Sequence, residues 1–307
     1  MNRSRIIRAG LLGCVVVLSA LPGRAVDRAA ALRGCFGTYG GAPKLADGHV
    51  DQPKLIAELL DIHANTYHWL FRSKQAQFDD FRAFLPLARE KHLKVWVTLV
   101  PPSETLPKGT SPTEALKQEY EHWVLEFARL SAANPNFVAW SIDDFAYNQK
   151  FWAPRDMARL TEAVHRLNPR FAFVPCCYFR QMTPAFVTNY APYCDGILFP
   201  YRDDSTPPGD LQNAGHVESE VKALRERFGR RMPIVLDVYA TAHSRLGAST
   251  PDYVEEVMVR GSKVADGVLV YCHQHREQNP EKYAIIKRLF TEWSRPAPKL
   301  CAPKQSG

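Results

Sequence analysis

Two adjacent aspartates, Asp143 and Asp144, end the apolar run FVAWSIDDF that starts at Phe137. Side chains alternate along an extended segment, so Trp140 and Ile142 share one face, Ser141 and Asp143 share the other, and Asp144 falls on the rim. Two carboxylates at the end of an apolar strand are costly unless they are paired, hydrated or used; Arg155 or Arg202 could neutralise one of them. A third acid, Asp237, stands between Leu236 and Val238 in PIVLDVYA, where the same alternation turns Asp237 and Tyr239 together. Carboxylates that face each other across a pocket can cleave a glycosidic bond, one protonating the leaving oxygen while the other attacks the anomeric carbon or activates water. The predicted catalytic set is therefore Asp143, Asp144 and Asp237. Asp203 and Asp204 are further acids in reach, although DDSTPPG is also a turn-forming composition.

Aromatic and basic residues gather at the ends of similar runs. Aromatic rings stack on the apolar faces of sugars and imidazoles bond to hydroxyls, so Tyr39, His68, Trp69, Tyr201, Arg202, Asp203, Tyr239, Tyr271 and His273 form the predicted substrate-binding set. Singly, each of these residue types packs more often than it binds. The pair His273-x-His275 opens a second reading, a metal-dependent hydrolase in which the two imidazoles and the Asp143–Asp144 pair hold a divalent ion. No H-E-x-x-H accompanies it, and the preferred reading needs neither metal nor cofactor. Nucleophilic serine and cysteine chemistry lack support: G-x-S-x-G is absent and Cys176-Cys177 has no local signature.

These residues need elements to position them. From Arg33 onward, short β-rich runs alternate with longer amphipathic stretches, and the alternation repeats eight times. The predicted strands begin at Gly34, Asn65, Lys94, Phe137, Phe171, Asp195, Pro233 and Asp266. Most are apolar on both faces, as strands covered by helices must be. The stretches EALKQEYEHWVLEFARLSA, VESEVKALRERF and EKYAIIKRLFTEW space apolar residues by three and four. Ser111-Pro112-Thr113-Glu114 reads as a capping box, and Thr250-Pro251 and Asn279-Pro280 as a cap followed by proline. The fold class implied is α/β, a single (β/α)8 TIM barrel behind an N-terminal signal peptide. In such barrels chemistry sits at the C-terminal ends of the strands. Neither G-x-G-x-x-G nor G-x-x-x-x-G-K-[ST] occurs where a phosphate-cradling loop would need it.

The N-terminus places Arg3, Arg5 and Arg8 before LLGCVVVLSALPGRA and a small-residue site near Ala25, the order of a secretory signal peptide. The apolar run falls short of the roughly 20 residues a spanning helix needs, so no stable membrane insertion is expected. Lipid attachment at Cys14 is not expected either, because apolar sequence continues beyond it. The predicted organisation is a signal peptide over 1–26, a barrel over 27–296 and a proline-rich tail over 297–307, with a secreted or periplasmic mature chain. The formal net charge of +7 is spread along helices rather than gathered in a stripe, so no nucleic acid partner is expected. Six of the seven cysteines lie beyond the signal peptide. Cys35 and Cys301 should lie at the same end of a barrel, where they could pair in an oxidising compartment; buried free thiols are the equal alternative.

The segments NPNFVAWSIDDF, LLDIHANTYHWL, DGILFPYR and ADGVLVYCHQH resemble glycoside-hydrolase-like TIM barrels, exported members of that superfamily included. The resemblance extends over nearly the whole mature chain in layout and matches no single family. It implies an oligo- or polysaccharide substrate, a catalytic carboxylate after the fourth strand (Asp143 or Asp144) and a partner after the sixth or seventh (Asp203, Asp204 or Asp237). Aspartates stand here where such barrels most often carry glutamates, and the D-x-x-D-x-D-x-E run of chitinase-like barrels is missing. Acid and nucleophile are thus left unassigned. The rival from another class is a carbohydrate-binding barrel without catalysis.

Overall fold

A computed structural model describes residues 27–295; the predicted signal peptide with Cys14 and the predicted tail with Cys301 lie outside the described residues. Eight parallel strands form one curled sheet: β1 (Cys35–Tyr39), β2 (Thr66–Phe71), β3 (Lys94–Leu99), β4 (Phe137–Ile142), β5 (Ala172–Phe173), β6 (Ile197–Tyr201), β7 (Ile234–Tyr239) and β8 (Gly267–Tyr271). Their spatial order is β5-β4-β3-β2-β1-β8-β7-β6. Each strand is followed by a helix: α1 (Gln52–Asp61), α2 (Gln75–Glu90), α3 (Glu114–Ala133), α4 (Pro154–Leu167), α5 (Pro184–Tyr190), α6 (Val217–Phe228), α7 (Pro251–Val264) and α8 (Pro280–Ser294). No helix among the described residues is long and apolar enough to cross a membrane.

The sheet curls like a TIM barrel, but its ladder is interrupted between β5 and β6. There only one parallel bridge forms, Cys176 with Leu198, through Leu198 N–H to the Pro175 carbonyl and Cys177 N–H to the Leu198 carbonyl, each 3.0 Å. The sequence predicts a longer strand from Phe171. Pro175 cuts it to two residues because proline brings no N–H to the ladder.

Alternation along the strands sorts the core into two layers. Facing the helices is an aromatic-rich layer that includes Phe71, Phe81, Phe84, Phe127, Phe137 and Trp140. Lining the axis is a smaller layer of Cys35, Tyr39, Trp96, Ala139, Val174, Cys176, Leu198, Val235 and Leu269, with Leu32 plugging the bottom. Gly37 faces the same way as Tyr39, at a point where β2 comes so close that a Cβ would stand 1.7 Å from the Thr66 carbonyl oxygen. Only glycine fits this contact.

Helix starts follow the predicted signals with two differences. The Thr250 hydroxyl caps α7 by accepting from Tyr253 N–H, and Pro251 opens the helix. Asn279 precedes Pro280 at the start of α8 without a side-chain cap bond. At α3 the cap is Thr113, accepting from Leu116 N–H, rather than Ser111. Pro112 holds the approach extended, and the helix begins only at Glu114. The buried thiols Cys176, Cys177 and Cys194 are free, as is the partly buried Cys272.

Candidate active site at the mouth of the sheet

The strand-four acids lie where alternation predicts, Trp140 and Ile142 in the outer layer and Asp143 at the mouth. Asp143 N–H donates to the Leu99 carbonyl (3.0 Å), extending the β3–β4 pairing one step past the strand. Asp144 then turns into the left-handed region (φ +43°), which aspartate tolerates better than most residues. Its N–H bonds back to Asp143 Oδ1 at 3.2 Å, and its carbonyl accepts from Tyr147 N–H and Asn148 Nδ2. Backbone strain of this kind is common where a side chain must be aimed.

A third carboxyl joins them. After β3 the chain enters a one-turn helix, Pro102–Thr105, which brings Glu104 beside Asp144. The Asn148 amide, which bonds to both the Asp144 carbonyl (2.9 Å) and Ser103 Oγ (3.0 Å), ties the two loops together. Partial desolvation of Glu104, which lies exposed on the rim, together with the negative charge of Asp143 and Asp144, raises its carboxyl to about 7. Burial and the neighbouring Asp144 charge raise Asp143 to about 6, against the Cys176 thiol and the nearby Tyr39 hydroxyl, which favour its anion. Asp144 is also raised by burial, restrained by Tyr178, Glu104, Arg202 and Arg245.

Asp237 lies below this group. It is the fourth residue of β7, only 2% exposed, and burial followed by the Asp143 charge holds its carboxyl well above the usual range. Beside it the axis is polar. The imidazole of His68 is fully buried, stacked on Tyr39 with ring centroids 4.2 Å apart, and kept neutral by burial, which lowers it to about 3. Tyr271 and Tyr239 cover the opening: Tyr271 packs against both Tyr39 and Tyr239, and the Tyr239 and Tyr178 hydroxyls are 2.7 Å apart. The Arg202 guanidinium lies 3.8 Å from the centre of the Tyr178 ring and bonds Asp204 at 3.0 Å.

Four residues predicted to bind substrate are placed elsewhere. Trp69 points away from the axis and packs on Phe81 and Phe84 of α2; since His68 faces inward, its neighbour cannot. Tyr201 also faces outward, stacked on Tyr253, with its hydroxyl on the Asn213 carbonyl. Asp203 is completely buried and holds the loop after β6 by accepting from His216 Nδ1 and Asn213 Nδ2, both at 2.8 Å. His273 lies on the outer side of β1, between Thr38 and Glu58 of α1. Its partner His275 also bonds Glu58, so the two histidines do not join the strand-four aspartates in one metal site. Replacing Asp203 by alanine should lower stability by about 3 kcal/mol through loss of two bonds to a buried carboxylate. Urea unfolding measures this, and an unchanged midpoint would remove Asp203 from the framework.

Glu104, Tyr178 and Cys176 are mouth residues that the sequence reading missed. Cys176 and Tyr178 alternate beyond the proline that ends β5, a two-residue spacing present in FAFVPCCYF. Glu104 follows Pro101-Pro102 at the end of β3, a strand end open to the same scrutiny as that of β4.

No protein-family model matches this chain, and no curated protein does. Solved structures do. A β-D-glucuronidase from Dictyoglomus thermophilum superposes with a TM-score of 0.57 at 16% identity, over 86% of this chain and 50% of that one. A GH2 β-galacturonidase from Eisenbergiella tayi, bound to galacturonate, gives 0.56 at 14% identity over 83% and 50%. The Pseudomonas stutzeri endoglucanase Cel5A gives 0.56 at 9% identity over 83% and 93%. The chain spans about half the length of the first two. Identities this low speak to architecture alone, and they agree on it: the chain has a TIM-barrel-like α/β fold.

Proposed function

We propose that this chain is an exported glycoside hydrolase acting on an oligo- or polysaccharide, with its chemistry at the mouth formed by β3, β4 and β7. The observation that carries the proposal is the convergence of Asp143, Asp144 and Glu104 there, with Asp143 raised to about 6 and Glu104 to about 7. Glycosidic cleavage needs one carboxyl that keeps its proton near neutrality and one that has lost it. Asp143, with the lower value, is the group assigned the ionised role, and Glu104 the acid. Glu104 then gives its proton to the leaving oxygen, and Asp143 acts as nucleophile or as base for the attacking water. Asp237, its carboxyl raised by burial beneath Asp143, adds no second anion there. The rings of Tyr271 and Tyr147, the latter 54% exposed, offer faces for sugar stacking.

The rim also carries cations. Arg72 acts on Glu104, and Arg202 and Arg245 act on Asp144. An anionic sugar such as a uronate fits that field, and two of the structural neighbours are named as a glucuronidase and a galacturonidase.

The test is a panel of neutral and uronic oligosaccharides and polysaccharides offered to the protein from residue 27 onward, reading new reducing ends together with the thermal shift. Product that disappears in Asp143→Ala supports the hydrolase. Stabilisation by sugar without product in the native chain would make this a carbohydrate-binding barrel and remove the catalytic assignment.

A further inference from the structure

On the opposite side of β1 from the carboxyl group at the mouth, Glu58, His273 and His275 bring three ligand atoms within 4.8 Å of one another. Glu58 Oε2 sits 2.9 Å from His273 Nε2 and 3.1 Å from His275 Nδ1. The three side chains are 11%, 0% and 15% exposed. We infer that these residues form a zinc-type site that clips α1 to the loop after β8.

Three features favour a metal over a plain hydrogen-bonded cluster. The donor set, two imidazoles and one carboxylate, is one that divalent zinc takes with water as the fourth ligand. A tetrahedron with ligand bonds of about 2.0–2.1 Å has edges of about 3.3 Å, so the two spacings to Glu58 need to open by only a few tenths of an ångström, and the two imidazole nitrogens already lie within 4.8 Å of each other. Most telling is the support behind the first ligand: the other ring nitrogen of His273, Nδ1, lies 3.0 Å from Thr38 Oγ1. A threonine hydroxyl can accept as well as donate. It can therefore hold His273 in the tautomer whose Nε2 lone pair points at Glu58, the arrangement in which a second partner orients a metal-binding histidine. The other carboxylate oxygen of Glu58 is left to Lys54, 3.9 Å away and half exposed.

The site's position gives it a purpose. Glu58 and His273 are 215 residues apart in the chain, and they belong to the first and last strand–helix units, whose strands β1 and β8 pair. A shared ion would fasten these two units on the outside of the sheet. It stands apart from the proposed catalysis, because neither histidine reaches the strand-four acids.

The experiment uses untagged protein stripped with a chelator, titrated calorimetrically with zinc chloride and, in parallel, with cobalt(II) read by its visible absorption. One equivalent should bind, the unfolding temperature should rise to a plateau, and cobalt should develop bands of a four- or five-coordinate site. His275→Ala and Glu58→Gln should each abolish saturable binding. Thr38→Val, which keeps the shape of the strand residue, should weaken binding about 10- to 100-fold. His49→Ala, at a surface histidine paired with Asp80, and Asp143→Asn should both bind zinc as the native chain does. The inference fails if no saturable binding occurs, if His275→Ala binds undiminished, or if Asp143→Asn is the variant that loses the metal.

Discussion

Asp143→Asn should abolish turnover and, at pH 8, make the protein more stable than the native chain. The two effects share one cause. In the fold the Asp143 carboxyl is raised to about 6 from an ordinary 3.8, first by burial and then by the charge of Asp144. The folded state therefore holds this proton more tightly than the unfolded chain does. The group's stabilising contribution is full below about pH 4 and is lost as the pH rises through 6. Above that, the native fold carries a buried anion that costs up to about 3 kcal/mol, at ~1.36 kcal/mol per pH unit. Asparagine fills the same space without the charge. The unfolding temperature of the variant should exceed that of the native chain by about 5–10 °C at pH 8, and the gap should close near pH 4. Thermal unfolding across that pH range measures it. Equal stability at pH 8 would show that the charge is not buried, and retained turnover would remove Asp143 from the chemistry. A residue whose loss stabilises the fold while ending activity is kept for function.

Glu104→Gln should separate substrates by their leaving groups. If Glu104 is the acid, its proton matters most when the departing oxygen is a poor leaving group, so hydrolysis of natural oligosaccharides should fall about 10²- to 10⁴-fold. Aryl glycosides with acidic phenols leave without that help and should lose far less. The alkaline limb of the native pH profile should fall near 7, where partial desolvation and the charges of Asp143 and Asp144 place Glu104. In the variant that limb should disappear, because glutamine has no proton to lose. Equal losses on both substrate types, or an alkaline limb that persists, would move the acid to Asp144, whose own replacement then becomes the decisive variant.

Features that depend on short range are legible in the amino-acid order alone. Period-two alternation is a backbone property, so Trp140 and Ile142 outward and Asp143 inward could be read directly from FVAWSIDDF. The same rule speaks against Trp69 beside an inward His68. Those two were grouped because both stand near a strand end, and the structure separates them by face. The helix start at Thr250-Pro251 is equally local, since a cap and its proline act within one turn. Even the shortened β5 is written in Pro175.

Which side chains meet depends on how the chain folds in three dimensions. Glu104 reaches Asp144 because neighbouring strands deliver their following loops to the same mouth, and Asn148 bridges those loops; no local pattern encodes that contact. Asp203 belongs to His216 and Asn213 for the same reason, its charge satisfied by a loop that folds back over it. His273 and His275 are close in sequence, yet their partner is Glu58 on α1, brought up by the pairing of the first strand with the last. Spacing fixes the direction of a side chain from its own backbone, whereas the identity of its partner is set by how the sheet curls.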